Sequence, residues 1–230
     1  MDYSIEVSGV NSLLIRFSDR ADPQLITVIG RCCELIKQYL NNCLIDVVPS
    51  YTTIMVTYDL LKGEDEMVRN ALELAVSQLD SNSVLSSQVR RETVILPVCY
   101  DDRFAPDLTL LSDTLALDCD EIIRLHSERV YQVFAVGFSP GFGYLGELDP
   151  ALRVPRLSTP RTSVPAGSVA IAELNTAVYP QATPGGWWLI GRCPIPMFDK
   201  SRADPCLFEV GDQVQFQPIT MDEFHCLKGA

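Results

Sequence analysis

Proline placement constrains this chain more than any other feature. Eleven of its fifteen prolines fall after residue 137, at positions 140, 150, 155, 160, 165, 180, 184, 194, 196, 205 and 218. A proline inside a helix removes a backbone donor and clashes with the preceding turn, so long helices do not fit between prolines this close together. Short β-type runs at 168–172 and 187–190 lie between them. The segment therefore reads as a closed, loop-rich β structure.

The first eighty residues have a different texture. Residues 12–17 read as a strand, and Asp22-Pro23 follows as an N-cap with proline at the first helical position. Leu25, Ile26, Ile29, Cys32, Cys33, Ile36, Tyr39 and Leu40 recur at three- and four-residue steps, which predicts one apolar helix face over 23–40. Strands are expected at 44–48 and 52–58, then a second helix over 64–79 with Met67, Val68, Ala71, Leu72, Ala75 and Leu79 facing inward. The small polar run at 81–88 reads as a linker. Beyond it, a strand at 93–100, helical pieces at 108–117 and 119–126, and a strand at 129–136 lead into the proline-rich part.

Eighteen basic residues against thirty acidic ones give a formal charge of −12, which argues against nucleic acid as a partner. The 47% apolar and 21% charged composition is that of a globular protein able to bury a core without staples. The eight cysteines are scattered, no C-x-x-C occurs, and His126 and His225 have no local partner, so reduced core thiols and no metal site are expected. The N-terminus lacks a basic start and an apolar run, and the uncharged stretch 174–191 is broken by prolines and glycines. A cytoplasmic chain with no membrane segment is the expectation.

Two tempting motifs fail on chemistry. Gly137-Phe138-Ser139-Pro140-Gly141 spells the G-x-S-x-G of an esterase elbow, but the residue after the serine must donate a backbone N–H to the oxyanion hole, and Pro140 has none. Gly141 to Gly146 spells G-x-G-x-x-G, but Pro150 and Pro155 leave no room for the helix that a dinucleotide site requires. A P-loop is absent from the sequence. What this segment offers is either a pocket rim, where Gly141 and Gly143 let backbone approach a ligand beside Phe138, Phe142 and Tyr144, or a tight turn whose aromatics fill the core.

The strings VGFSPGFGYLGELDPALRVPRLSTPRTSVPAGSVAIA and AVYPQATPGGWWLIGRCPIPMFD resemble the allophanate hydrolase subunit 1 family, which includes the 5-oxoprolinase subunit PxpB and the kinase inhibitor KipI. VPSYTTIMVTYD, CYDDRFAPDL and IIRLHS extend the resemblance over nearly the whole chain. It implies an α+β architecture: a small ferredoxin-like N-terminal domain over 1–86 and a cyclophilin-like β-barrel over 87–230. In kind the chain is closest to a PxpB-like subunit of an ATP-dependent 5-oxoprolinase, which opens the lactam of 5-oxo-L-proline to give L-glutamate. The implied partners are a second carboxyltransferase-type, PxpC-like subunit and a LamB/YcsF-type, PxpA-like protein. ATP would be shared with or bound by those partners. The rival readings are a KipI-like inhibitor of a sensor histidine kinase and a part of an allophanate hydrolase or urea carboxylase system.

His126 matches the family's Leu-His-Ser and is expected to transfer a proton or orient a carbonyl or phosphoryl group, unless it is a satisfied structural histidine. Arg161 and Arg192 sit in low-charge surroundings, so each is expected to bind a ligand carboxylate or phosphate or to form a buried ion pair. Arg192 is placed with His126 in catalysis and Arg161 in substrate binding. Phe142, Tyr144, Gly141, Gly143, Asn175, Gln181 and Trp187 complete the expected substrate-binding set, with Gln181 alternatively a solvated turn residue. Trp187 and Trp188 should point to opposite faces, one serving the core and the other a partner. Where many family members read Gly-x-Gln-Thr, this chain has Glu173-Leu174-Asn175-Thr176, which implies a shifted site geometry or a different ligand.

Overall fold

The computed structural model describes residues 2–19, 22–79 and 92–229. The chain divides into two compact units, Met1–Arg90 and Arg91–Ala230. The expected linker at 81–88 and the boundary at 86/87 lie outside the described residues.

In the first unit, β1 (Ser4–Gly9) and β2 (Ser12–Arg16) form a hairpin. Helix α1 (Pro23–Tyr39) follows, capped as expected by the Asp22 carboxylate, which accepts from the Gln24 N–H at 2.8 Å. β3 (Leu44–Ser50) and β4 (Thr53–Tyr58) then pair, and α2 (Asp65–Ser77) ends the unit. Within the unit the antiparallel order is β1-β2-β4-β3, so β4 is inserted between two strands that α1 connects. Leu13, Ile15, Ile54, Val56 and Tyr58 alternate onto one face of this sheet and join the buried faces of α1 and α2 in a single core. Two expected inward residues do not belong to it. Met67 is 46% exposed because the buried stripe of α2 runs through Val68, Leu72, Ala75 and Val76, one step round the helix. Tyr39, at the last turn of α1, is exposed, with its hydroxyl donating to Gln78 at 2.6 Å.

The second unit is a closed barrel. β5 (Val94–Val98) runs parallel to β13 (Gln213–Pro218), which pairs with β6 (Val130–Val136) on its other side. The path continues antiparallel through β7 (Gly143–Gly146), β10 (Asn175–Val178), β9 (Ser168–Ala172) and β12 (Trp188–Arg192). Reciprocal backbone bonds of 2.9 Å between Cys99 and Arg192 bring β12 back to the end of β5, so the ring has no free edge. Val133, Leu145, Val169, Ile171, Val178, Trp188, Ile190, Val214 and Phe216 fill the interior. Helices α3 (Leu108–Leu115) and α4 (Cys119–Ser127) add Leu108, Leu111 and Ile122 to that core. A final helix, α5 (Met221–Lys228), opens with a capping box between Thr220 and Glu223.

Outside the barrel, a two-stranded ribbon of β8 (Arg161–Val164) and β11 (Thr183–Gly185) makes a second layer. Ala170, Ala172 and Ala177 on the outer faces of β9 and β10 leave room for Phe142, Tyr179 and Trp187, which pack there with Val164 and Leu189. The two tryptophans do face opposite ways, Trp188 inward and Trp187 outward, yet both are buried. The ribbon layer removes Trp187 from the surface, which corrects the expectation that one of the pair meets a partner.

Candidate functional site

Five aromatic rings gather on the outer barrel wall. Phe142 stands at the centre, with ring centroids 5.0 Å from Tyr144, 5.3 Å from Tyr179, 5.8 Å from Trp187 and 5.3 Å from Phe138. All four contacts are edge-on, the arrangement the ring quadrupoles favour. Phe138 is 65% exposed and adopts φ +71°, a left-handed conformation that is uncommon for any residue with a side chain. Arg156 borders the patch, its guanidinium carbon 5.9 Å from the Trp187 ring centre.

Arg161 ties the ribbon to the barrel. Its guanidinium pairs with Asp107, a carboxylate only 5% exposed, and reaches the Trp187 carbonyl at 3.5 Å. The second oxygen of Asp107 accepts the Leu189 backbone N–H at 2.6 Å. Of the two readings offered for this arginine, the structure shows the buried ion pair. Burial raises the pKa of the Tyr179 hydroxyl, while Arg156 and Arg161 both oppose that rise.

The other expected residues distribute differently. His126 is fully buried within the barrel core, with Nδ1 2.8 Å from the Tyr100 hydroxyl and Nε2 2.8 Å from Thr176 Oγ1. Its ring stacks on Phe216 at 4.4 Å, and burial pushes its pKa down to about 3. Both nitrogens are engaged within the protein, so this is the satisfied structural histidine rather than a group presented to substrate. Arg192 ends β12, roughly 13 Å along the strand from Trp188 at about 3.3 Å per residue. There its Nε donates to the Ala166 carbonyl at 3.0 Å and its guanidinium lies over Phe104 at 5.4 Å. His126, Arg161 and Arg192 therefore do not rim one cavity.

Gly141 and Gly143 have packing reasons for lacking a side chain. A Cβ on Gly141, at φ +81°, would lie 2.8 Å from the Met197 carbonyl, and one on Gly143 would overlap the Phe208 ring. Asn175 starts β10 and donates to the Leu145 carbonyl at 3.4 Å, while Gln181 is exposed in the turn before β11. Of the expected residues, Phe142, Tyr144, Trp187 and Arg161 gather at this patch, and Tyr179, Arg156 and Asp107, which the sequence reading did not name, lie there with them. The alternating alanines of Ser168–Ala172 were the available signal, since small outward residues on a strand imply a second layer against it.

Known proteins settle what kind of chain carries this patch. The profile of the carboxyltransferase domain, subdomain C and D, matches residues 3–208. The chain belongs to that family. It is 34% identical over 236 residues to the B component of 5-oxoprolinase from Bacillus subtilis, covering 98% of this chain and 97% of that protein. Among solved structures, TTHA0988 superimposes with a TM-score of 0.79 at 30% identity over 91% of this chain. This chain spans only 40% of the TTHA0988 polypeptide. The Kluyveromyces lactis urea carboxylase shares the fold, with a TM-score of 0.74 at 18% identity, over 97% of this chain and 22% of that enzyme. Among the described residues there is no cluster of three potential metal ligands, and no helix is long and apolar enough to cross a membrane.

Proposed function

We propose that this chain is the PxpB-like subunit of an ATP-dependent 5-oxoprolinase that works in the cytoplasm with a PxpC-like carboxyltransferase-type subunit and a LamB/YcsF-type protein. The observation that carries the reading is the end-to-end match to the B component of the Bacillus subtilis 5-oxoprolinase, which leaves little of either protein uncovered. That relative is part of an enzyme, which favours the enzyme over a kinase inhibitor. In finer terms we read the first unit as ferredoxin-like, from its inserted strand order, and the barrel as cyclophilin-like, with the break near residue 86.

The chemistry explains why a complex is needed. A five-membered lactam is an unstrained amide, and phosphorylating its oxygen with ATP makes the carbonyl open to attack by water. Expulsion of the ring nitrogen from that water adduct opens the ring to an acyl phosphate of glutamate, and a second water then releases glutamate and phosphate, ADP having left in the first step. This chain has no nucleotide-binding motif of its own, so its share of the work is to hold the lactam. Phe138 and Tyr144, the members of the aromatic layer that reach the surface, border that site, the buried Phe142 and Trp187 back them, Arg161 ties the ribbon behind them to Asp107, and a partner closes it. The fusion-like relation to TTHA0988 supports such a partner, because there the matching segment is part of a much longer polypeptide. Co-purification with both partners, followed by phosphate release on addition of 5-oxoproline, tests the reading. Phosphate release that the lactam does not stimulate rejects it.

A further inference from the structure

Arg156 differs from Arg161 in what holds it. Removing Arg161 would strand the buried Asp107 carboxylate, so that cation is committed to the fold. Arg156 has Glu173 as its ionic partner at 3.3 Å, and the two side chains are 56% and 58% exposed. A pair this exposed contributes at most about 1 kcal/mol, so another carboxylate can replace Glu173 at little cost.

Glu173 is itself an unusual occupant of its position. It adopts φ +56°, where a glycine is favoured and a side chain costs about 1 kcal/mol. Its backbone N–H donates to the Val154 carbonyl at 2.6 Å, so the main chain is fixed whatever the side chain is. The glutamate therefore accepts strain and places a carboxylate on the cation at the edge of the aromatic wall.

The layer behind that cation also contains unsatisfied polar groups. Ser139 Oγ and Thr183 Oγ1 are buried with no hydrogen-bond partner among the described residues. The Ser139 carbonyl accepts the Phe142 N–H at 3.0 Å, and Thr183 pairs in register with Val164. Phe142 and Val164 both belong to the aromatic layer. Orphaned buried hydroxyls are costly, so the packing beside this layer leaves two polar groups unsatisfied.

We propose that Arg156 binds the carboxylate of a small cyclic amide at the rim of the Tyr144–Trp187 wall, and that Glu173 holds this position as an internal carboxylate until substrate displaces it. The inference rests on the 5-oxoprolinase reading. It assigns the substrate's carboxylate to Arg156 and leaves Arg161 and Arg192 outside direct substrate contact.

The test uses the complex assembled with both partner proteins, with initial rates of phosphate release measured against 5-oxoproline concentration. Arg156→Ala is expected to raise KM at least tenfold with kcat within about twofold, and Arg156→Lys to give an intermediate KM. Glu173→Gly is expected to lower KM about twofold and to raise the melting temperature of the isolated chain. Inhibition by 2-pyrrolidone, which lacks the carboxylate, should be unchanged in Arg156→Ala. An active complex in which Arg156→Ala keeps the wild-type KM overturns the assignment while the proposed function stands. A folded wild-type complex that never responds to the lactam overturns the proposed function, whatever Arg156 does.

Discussion

His126 Nε2 lies 2.8 Å from Thr176 Oγ1 inside the barrel. Thr176 in turn donates to the Ala170 carbonyl at 3.1 Å, so its oxygen accepts from an Nε2–H. Nδ1 is then the acceptor for the Tyr100 hydroxyl. This tautomer satisfies every partner and holds the imidazole neutral, with α4 supplying it to strands that are distant in sequence.

That arrangement makes the barrel sensitive to acid. The folded pKa of His126 is lowered by burial to about 3 from an ordinary 6.5. The unfolded chain therefore binds the extra proton first, and stability from this residue is full above about pH 6.5 and lost as pH falls towards 3. Between pH 7 and pH 5 the loss should be about 2 kcal/mol. Urea unfolding at the two pH values should show it in the wild type and not in His126→Gln. Equal pH dependence in both proteins would show that the imidazole titrates freely.

The Arg161–Asp107 pair should behave as a clamp. Arg161→Ala leaves a carboxylate 5% exposed without its cation, and about 2 kcal/mol of destabilisation is expected. The double variant Arg161→Ala, Asp107→Ala should recover part of that loss in a double-mutant cycle. If the single variants each stay within roughly 0.5 kcal/mol of wild type, the level of ordinary surface substitutions, the clamp is absent.

Gly143→Ala should destabilise the barrel by about 2 kcal/mol, because the new methyl would overlap Phe208. Gly137→Ala is the control, since a Cβ there meets nothing within 4 Å. Thermal melts of the two variants should separate clearly. Equal melting temperatures would mean that the loop holding Phe208 yields freely.

Much of the fold was legible because it is written in local chemistry. Asp22-Pro23 and the recurrence from Leu25 to Leu40 mark α1, and the prolines beyond residue 137 leave room only for short strands. The β1–β2 hairpin and α5 escaped, although Thr220 and Glu223 spell a capping box. The site was harder to read for a physical reason. A Leu-His-Ser string does not reveal that Tyr100 and Thr176, 26 residues before and 50 after His126, close over the imidazole. Likewise Arg161 and Arg192 look alike in sequence, while the fold sets Arg161 against Asp107 and the Trp187 carbonyl and sets Arg192 at the far end of β12 against the Ala166 carbonyl. Glu173 stood out as a departure from the family pattern, and the backbone explains why glycine suits that position.

Product balance tests the central claim most directly. The two partner proteins, with and without this chain, are incubated with ATP and 5-oxo-L-proline, and L-glutamate and phosphate are quantified together. The account predicts glutamate and phosphate in equal amounts only when this chain is present. Glutamate formed at the same rate without it, or none formed with all three folded proteins present, would contradict the account.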